Sequence, residues 1–70
     1  MDFQSFKEIY KKKSLIEKIG LLIKTMEIWS DDRLAYQRAV TKEDRAYYEK
    51  EVKAMEKRIA WLYEELTDLQ

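Results

Sequence analysis

The sequence contains no cysteine, no histidine and no proline, and Gly20 is its only glycine. Without cysteine there can be no disulfide, and without cysteine or histidine the usual zinc ligands and the commonest general base are missing. We therefore expect no metal, no cofactor and no catalytic residue, and we predict that the protein is not an enzyme. The near absence of chain-breaking residues, with lysine, glutamate, leucine and alanine in abundance, is typical of long helices.

The sequence also has no excess of positive or negative charge, because 14 basic residues balance 14 acidic ones. A chain of zero net charge generates no strong field toward nucleic acid or an anionic membrane. The longest run without a charged residue that is rich in apolar side chains, Ile19–Ile23, is far too short to span a bilayer. The first residues also lack the pattern of a signal peptide. We expect a soluble cytoplasmic protein with no membrane partner.

Three helical segments are predicted within a single domain, residues 1–13, 14–40 and 41–70. In the first, Phe3, Phe6 and Tyr10 share one helical face. Either Asp2 or Ser5 can cap this short helix.

The second segment begins with a capping box, in which Ser14 precedes Glu17 by three positions. Apolar residues then alternate at spacings of four and three, as in a heptad seam: Leu15, Ile19, Leu22, Met26 and Trp29. We predict one helix to about residue 39, with a break at Ser30 as the competing interpretation. Ile16 and Ile23 lie off the seam, so this helix needs more than one packing neighbour.

The third segment has Thr41 as its predicted N-cap. Its seam is long and regular: Tyr48, Val52, Met55, Ile59, Leu62, Leu66 and Leu69. Two helices of similar length joined by a short turn favour an antiparallel hairpin. The alternative is one continuous helix in a parallel coiled coil, but the two seams differ in phase at the proposed turn. The predicted fold is all-α, a short N-terminal helix plus this hairpin, completed as a bundle by self-association.

A row of residues beside the third seam, Tyr47, Ala54 and Trp61, offers large rings around a small side chain. Either the N-terminal helix of the same chain or a second copy can cover this row. Aromatic residues are common interface anchors. We therefore predict an interface for a partner protein or a second copy, built on these residues: Tyr47, Trp61, Tyr63, Trp29, Ile16 and Ile23.

The predicted function is a non-enzymatic protein–protein interaction module, a small regulatory adaptor or inhibitor that presents a helical face. The alternative is a nucleic-acid-associated accessory protein that contacts phosphates through Lys11, Lys12 and Lys13 in a dimer. The competing explanation for these three lysines is stabilisation of the negative end of the first helix dipole.

Overall fold

A computed structural model describes residues 2–68 of the chain as three α-helices. They are α1 (Phe3–Lys11), α2 (Leu15–Arg38) and α3 (Lys42–Thr67). The long helices α2 and α3 pack side by side as an antiparallel hairpin, which makes the molecule 44 Å long and 19 by 16 Å across. The predicted all-α hairpin with a short first helix is confirmed. The proposed seam position Leu69 lies outside the described residues.

Side chains at the start of each helix satisfy backbone N–H groups that have no partner within the helix. Asp2, rather than Ser5, caps α1: its Oδ1 accepts a hydrogen bond of 2.7 Å from the Ser5 N–H. Thr41 caps α3 by accepting one of 3.1 Å from the Asp44 N–H. Helix α2 runs without interruption through Ser30, so the competing break at that position is not found.

The capping box that begins α2 is complete. The Ser14 Oγ accepts a hydrogen bond of 3.3 Å from the Glu17 N–H, and the Glu17 carboxylate accepts one of 3.0 Å from the Ser14 N–H. These hydrogen bonds lower the pKa of the Glu17 carboxyl group, because they stabilise its charged form. The box fixes the sharp corner between α1 and α2.

Replacing Ser14 with alanine should lower the free energy of unfolding by about 1 kcal/mol, because an N-cap side chain is lost. Ser30→Ala is the matched control, since Ser30 is exposed within α2 and alanine is the better helix former. Urea titrations followed by circular dichroism would measure both. Equal stability of the two variants would show that the box is unimportant.

The face of α2 that turns inward differs from the predicted seam. The buried and half-buried residues at heptad spacing on that face are the following: Lys18, Leu22, Thr25, Trp29, Asp32 and Tyr36. Leu15, Ile19 and Met26, which were predicted to lie in the seam, are 44–55% exposed. Thr25 can be buried because its hydroxyl donates a hydrogen bond of 2.7 Å to the Leu21 carbonyl oxygen. The predicted seam of α2 was therefore wrong at these three positions, whereas its other two members, Leu22 and Trp29, do lie on the inner face.

The hydrophobic core is small and lies at one end of the hairpin. Among the described residues, the buried hydrophobic side chains are Phe6, Tyr10, Met55 and Leu62, and Leu62 alone of the large ones is fully enclosed. Large apolar side chains elsewhere remain open to solvent, with Ile16 82% exposed.

Gly20 lies in the interior of α2, where glycine costs about 1 kcal/mol relative to alanine. A Cβ atom at this position would meet no other atom within 4 Å. Packing within the chain therefore gives no reason for a glycine here.

Candidate partner-binding surface

One flank of the hairpin is covered by α1 of the same chain. The ring of Trp61 stands edge-on to three rings of α1, with centroid distances of 6.1 Å to Phe3, 6.3 Å to Phe6 and 4.9 Å to Tyr10. Leu21, Leu22 and Trp61 pack around the buried cluster of Phe6, Tyr10 and Leu62. The N-terminal helix thus packs against the hairpin of its own chain. This is the first of the two predicted alternatives, in which α1 rather than a second copy covers Trp61.

Four cations surround this aromatic cluster, and each one lies over a ring. The Lys7 Nζ is 4.5 Å from the Phe3 centroid, and the Arg58 guanidinium is 4.9 Å from that of Phe6. The Lys18 Nζ is 4.8 Å from the Tyr10 centroid, and Lys57 approaches Phe3 from α3 at 4.9 Å. Burial raises the pKa of the Tyr10 hydroxyl, and the charge of Glu65 adds to this effect. Cation–π contacts of this kind keep lysine and arginine on the outside of the cluster and protect its rings from water.

The opposite flank of the hairpin is uncovered and holds a groove between α2 and α3. Tyr63 and Trp61 are two positions apart, so they point about 200° away from one another around α3. Tyr63 therefore lies on the flank away from α1 and is 65% exposed. We call this feature the apolar groove, and define it by the residues that line it: Met26, Trp29, Glu56, Ile59, Ala60 and Tyr63.

A row of isoleucines on α2 extends this uncovered surface toward the start of the helix. Ile16, Ile19 and Ile23 are 82%, 44% and 53% exposed. Ile19 and Ile23 precede Met26 by seven and three positions, so they follow the same side of α2 as the groove. Ile16 is seven positions before Ile23 and continues the row toward the outer edge of α2. We call these three residues the isoleucine ridge.

The other end of the uncovered flank combines apolar and charged side chains, with Tyr36 and Val52 among its lining residues. A second depression begins at Glu56, which it shares with the apolar groove, and runs toward the turn between α2 and α3. Its charges have both signs, with Arg33 on α2 and the Glu49–Lys53 ion pair of 3.1 Å on α3. The Arg33 guanidinium also lies 5.1 Å from the Trp29 ring centroid. The charged residues that border the uncovered flank are therefore concentrated near this turn, although Tyr36 and Val52 also line the second depression.

Two buried polar atoms on α2 have no hydrogen-bond partner among residues 2–68. They are Trp29 Nε1 and Asp32 Oδ2, which belong to residues three positions apart on α2. Burial raises the pKa of the Asp32 carboxyl group, and the nearby charges of Glu51 and Asp31 raise it further. Unpaired buried polar groups reduce stability, so this part of the hairpin interface is less stable than the end that contains Leu62.

The predicted interface residues separate into two groups. Tyr63, Trp29, Ile16 and Ile23 belong to the uncovered flank, whereas the ring of Trp61 is covered by α1. Tyr47 is 59% exposed and contacts Tyr48, with centroids 5.1 Å apart. The predicted row from Tyr47 to Trp61 is thus covered at one end only.

Several residues of the groove were not included in the predicted interface. Met26 and Ile59 belong to the predicted seams, and Ala60 is in neither the predicted seams nor the predicted interface. The spacing of Ile59 and Ala60 relative to Tyr63 is a sequence signal for these two residues, because positions i, i+1 and i+4 share one side of a helix.

The three consecutive lysines follow the end of α1. Lys11 is in its last turn and Lys12 is its C-cap residue, where a cation stabilises the helix dipole. Lys11 and Lys12 are exposed and Lys13 is half-buried. Phosphate binding by these lysines stays a prediction.

Within residues 2–68 there is no cluster of acidic side chains suited to hold a metal ion. None of the three helices combines the length and the apolar character needed to cross a membrane. Comparison with protein-family models, with curated proteins and with solved structures finds no match to this chain.

Proposed function

We propose that this protein is a non-enzymatic protein–protein interaction module, a small regulatory adaptor or inhibitor whose binding surface is the flank opposite α1. The strongest support for this proposal is that the two flanks of the hairpin differ in how far they are covered. One is covered by the aromatic residues of α1, and the other leaves the apolar groove and the isoleucine ridge in contact with solvent. A contiguous apolar surface bordered by charged residues is typical of a protein-binding site.

The chemistry of the flank supports a helical segment as the ligand. The apolar groove runs between two antiparallel helices, and its walls are Met26, Ile59 and the ring of Tyr63. Ala60 is a small side chain in the groove, so an apolar side chain of the partner can enter there. Amphipathic helices bind such grooves through apolar residues spaced three and four apart. Tyr63 and Trp29 are the proposed anchors.

Site-specific photo-crosslinking would test this proposal. A photoreactive phenylalanine analogue at position 63 should give discrete protein adducts in the cells that make the protein, several-fold more than the same analogue at position 47. Tyr47 is the matched control because it is on the same helix, is 59% exposed and lies on the other flank. Equal adduct yields from the two positions, or no adduct from position 63, would overturn the proposal.

A further inference from the structure

We infer that the partner of the uncovered flank is a second copy of this chain, which binds across a two-fold axis. This inference rests on the proposed function, since it names the occupant of the same surface. In the arrangement, the isoleucine ridge of each copy enters the apolar groove of the other. The two hairpins then form the centre of a bundle, and the two α1 helices lie on its outer sides.

The first reason is the size of the core. The described chain buries four hydrophobic side chains and leaves eleven large ones exposed. Chains of about this length bury too little surface to be very stable alone, and they usually rely on a disulfide, a metal or a partner chain. The chain has no cysteine or histidine. A partner chain is therefore needed to bury the exposed apolar side chains. A second copy of the same chain is always available for this role.

The second reason is the area of the surface. Six exposed side chains contribute most of it: Leu15, Ile16, Ile19, Ile23, Met26 and Tyr63, at 44–82% exposure. On the scale of about 150–250 Å² that an aromatic side chain buries, which is an upper limit for the aliphatic ones, they offer at most roughly 500–900 Å². A stable protein interface buries about 800 Å² on each partner. The apolar residues of this flank are therefore sufficient for one half of an ordinary dimer interface.

The third reason is shape. A two-fold interface uses the same surface on both copies, so this surface must contain a projection and a matching depression. The isoleucine ridge and the apolar groove are such a pair, and they lie side by side on one flank. The second copy also meets no electrostatic barrier, since the chain has zero net charge.

Gly20 supports the same arrangement independently. Its neighbours on the helix surface, four positions before and three after, are Ile16 and Ile23 of the ridge. A glycine allows another backbone to approach closely. No atom of the chain outside the neighbouring helix backbone uses the open space above Gly20. This space lies beside the ridge at the outer edge of α2, about 120° around the helix from Met26, where a helix packed on Ile16 and Ile23 can approach.

Sedimentation equilibrium of the full chain over a wide concentration range is the test. We expect the wild type to be a dimer that dissociates on dilution, and Ile23→Glu to weaken the dimer at least 100-fold. Ile28→Glu is the matched control and should leave the dimer intact, because Ile28 is 41% exposed but points about 140° away from Ile23 around α2. A persistent dimer of the Ile23 variant, or equal loss in both variants, would overturn the inference.

A second measurement covers the case in which the Ile23 variant does not fold alone. A chain with a spin label on Glu27→Cys, one turn after Ile23, is mixed with isotope-labelled wild-type chain for NMR spectroscopy. The spin label should broaden the amide signals of Ala60 and Tyr63 in the isotope-labelled copy and spare that of Tyr47. Absence of this broadening would overturn the second-copy inference.

The two proposals can fail separately. A helical wild-type monomer at every concentration would overturn the second-copy inference, while adducts to a different protein from position 63 would still support a protein-binding flank. Failure of crosslinking at position 63 would instead overturn the proposed function together with the inference that rests on it.

Discussion

Replacing Trp61 with alanine is expected to lower the free energy of unfolding by about 3 kcal/mol, the lower end of the cost of removing a large aromatic ring from a core, because Trp61 is half-buried against the cluster. The loss should be large because this one ring contacts Phe3, Phe6 and Tyr10, and so holds α1 on the hairpin. A domain of this size has only a few kcal/mol of stability in total. We therefore expect the variant to be largely unfolded at ambient temperature, as measured by urea titration with far-ultraviolet circular dichroism.

Tyr47→Ala provides the comparison for Trp61→Ala. Both changes remove an aromatic ring from α3, but Tyr47 is 59% exposed and is paired with one aromatic ring, that of Tyr48, within the described part of the chain. Its loss should change the free energy of unfolding by less than about 1 kcal/mol. If the two variants unfolded at the same urea concentration, the docking of α1 through Trp61 would be refuted.

Asp32→Asn is expected to stabilise the protein at neutral pH by about 1 kcal/mol, because it removes the negative charge of a half-buried side chain that lies near the carboxylates of Glu51 and Asp31. Burial, Glu51 and Asp31 raise the pKa of this carboxyl group in the folded state above its ordinary value of 3.8. Asp31→Asn is the matched control, since Asp31 is the adjacent carboxylate and is exposed. It should change stability much less than the Asp32 variant.

The direction of the pH dependence follows from the raised pKa. At pH values below 3.8 the carboxyl group is protonated in both the folded and the unfolded states, and it contributes no electrostatic penalty. As the pH rises, the unfolded state releases the proton first, so the wild type loses stability until the folded-state pKa is passed. The advantage of Asp32→Asn should therefore be full at neutral pH and disappear in acid. An advantage independent of pH would show that the charge of Asp32 is not the cause.

Much of the fold could be predicted from local signals in the sequence. The capping box at Ser14 and the N-cap at Thr41 depend on side chains three residues away, and both are present in the structure. Packing between α2 and α3 could be predicted less well. A helix with isoleucine or leucine on several sides does not determine which side faces its neighbour. Its most apolar stripe was taken as the inner face, whereas Thr25 lies there with its hydroxyl satisfied within the helix.

The candidate site could be predicted only in part, for a related reason. Exposed Tyr63 and Ile23 were identified because they lie off the predicted seams. The assignment of Trp61 depended on a tertiary contact, since its helix surface can accept either α1 or another chain. Met26 was missed because a residue in an apolar stripe was assumed to be buried, although its side chain is 48% exposed.

The docking of α1 joins parts of the chain that are made at very different times. Phe3, Phe6 and Tyr10 are synthesised before either long helix, yet the ring that they surround belongs to the last half of α3. Contacts between residues so distant in sequence close a large loop and form late in folding. During translation the first aromatic residues must therefore remain without their partner until Trp61 has left the ribosome.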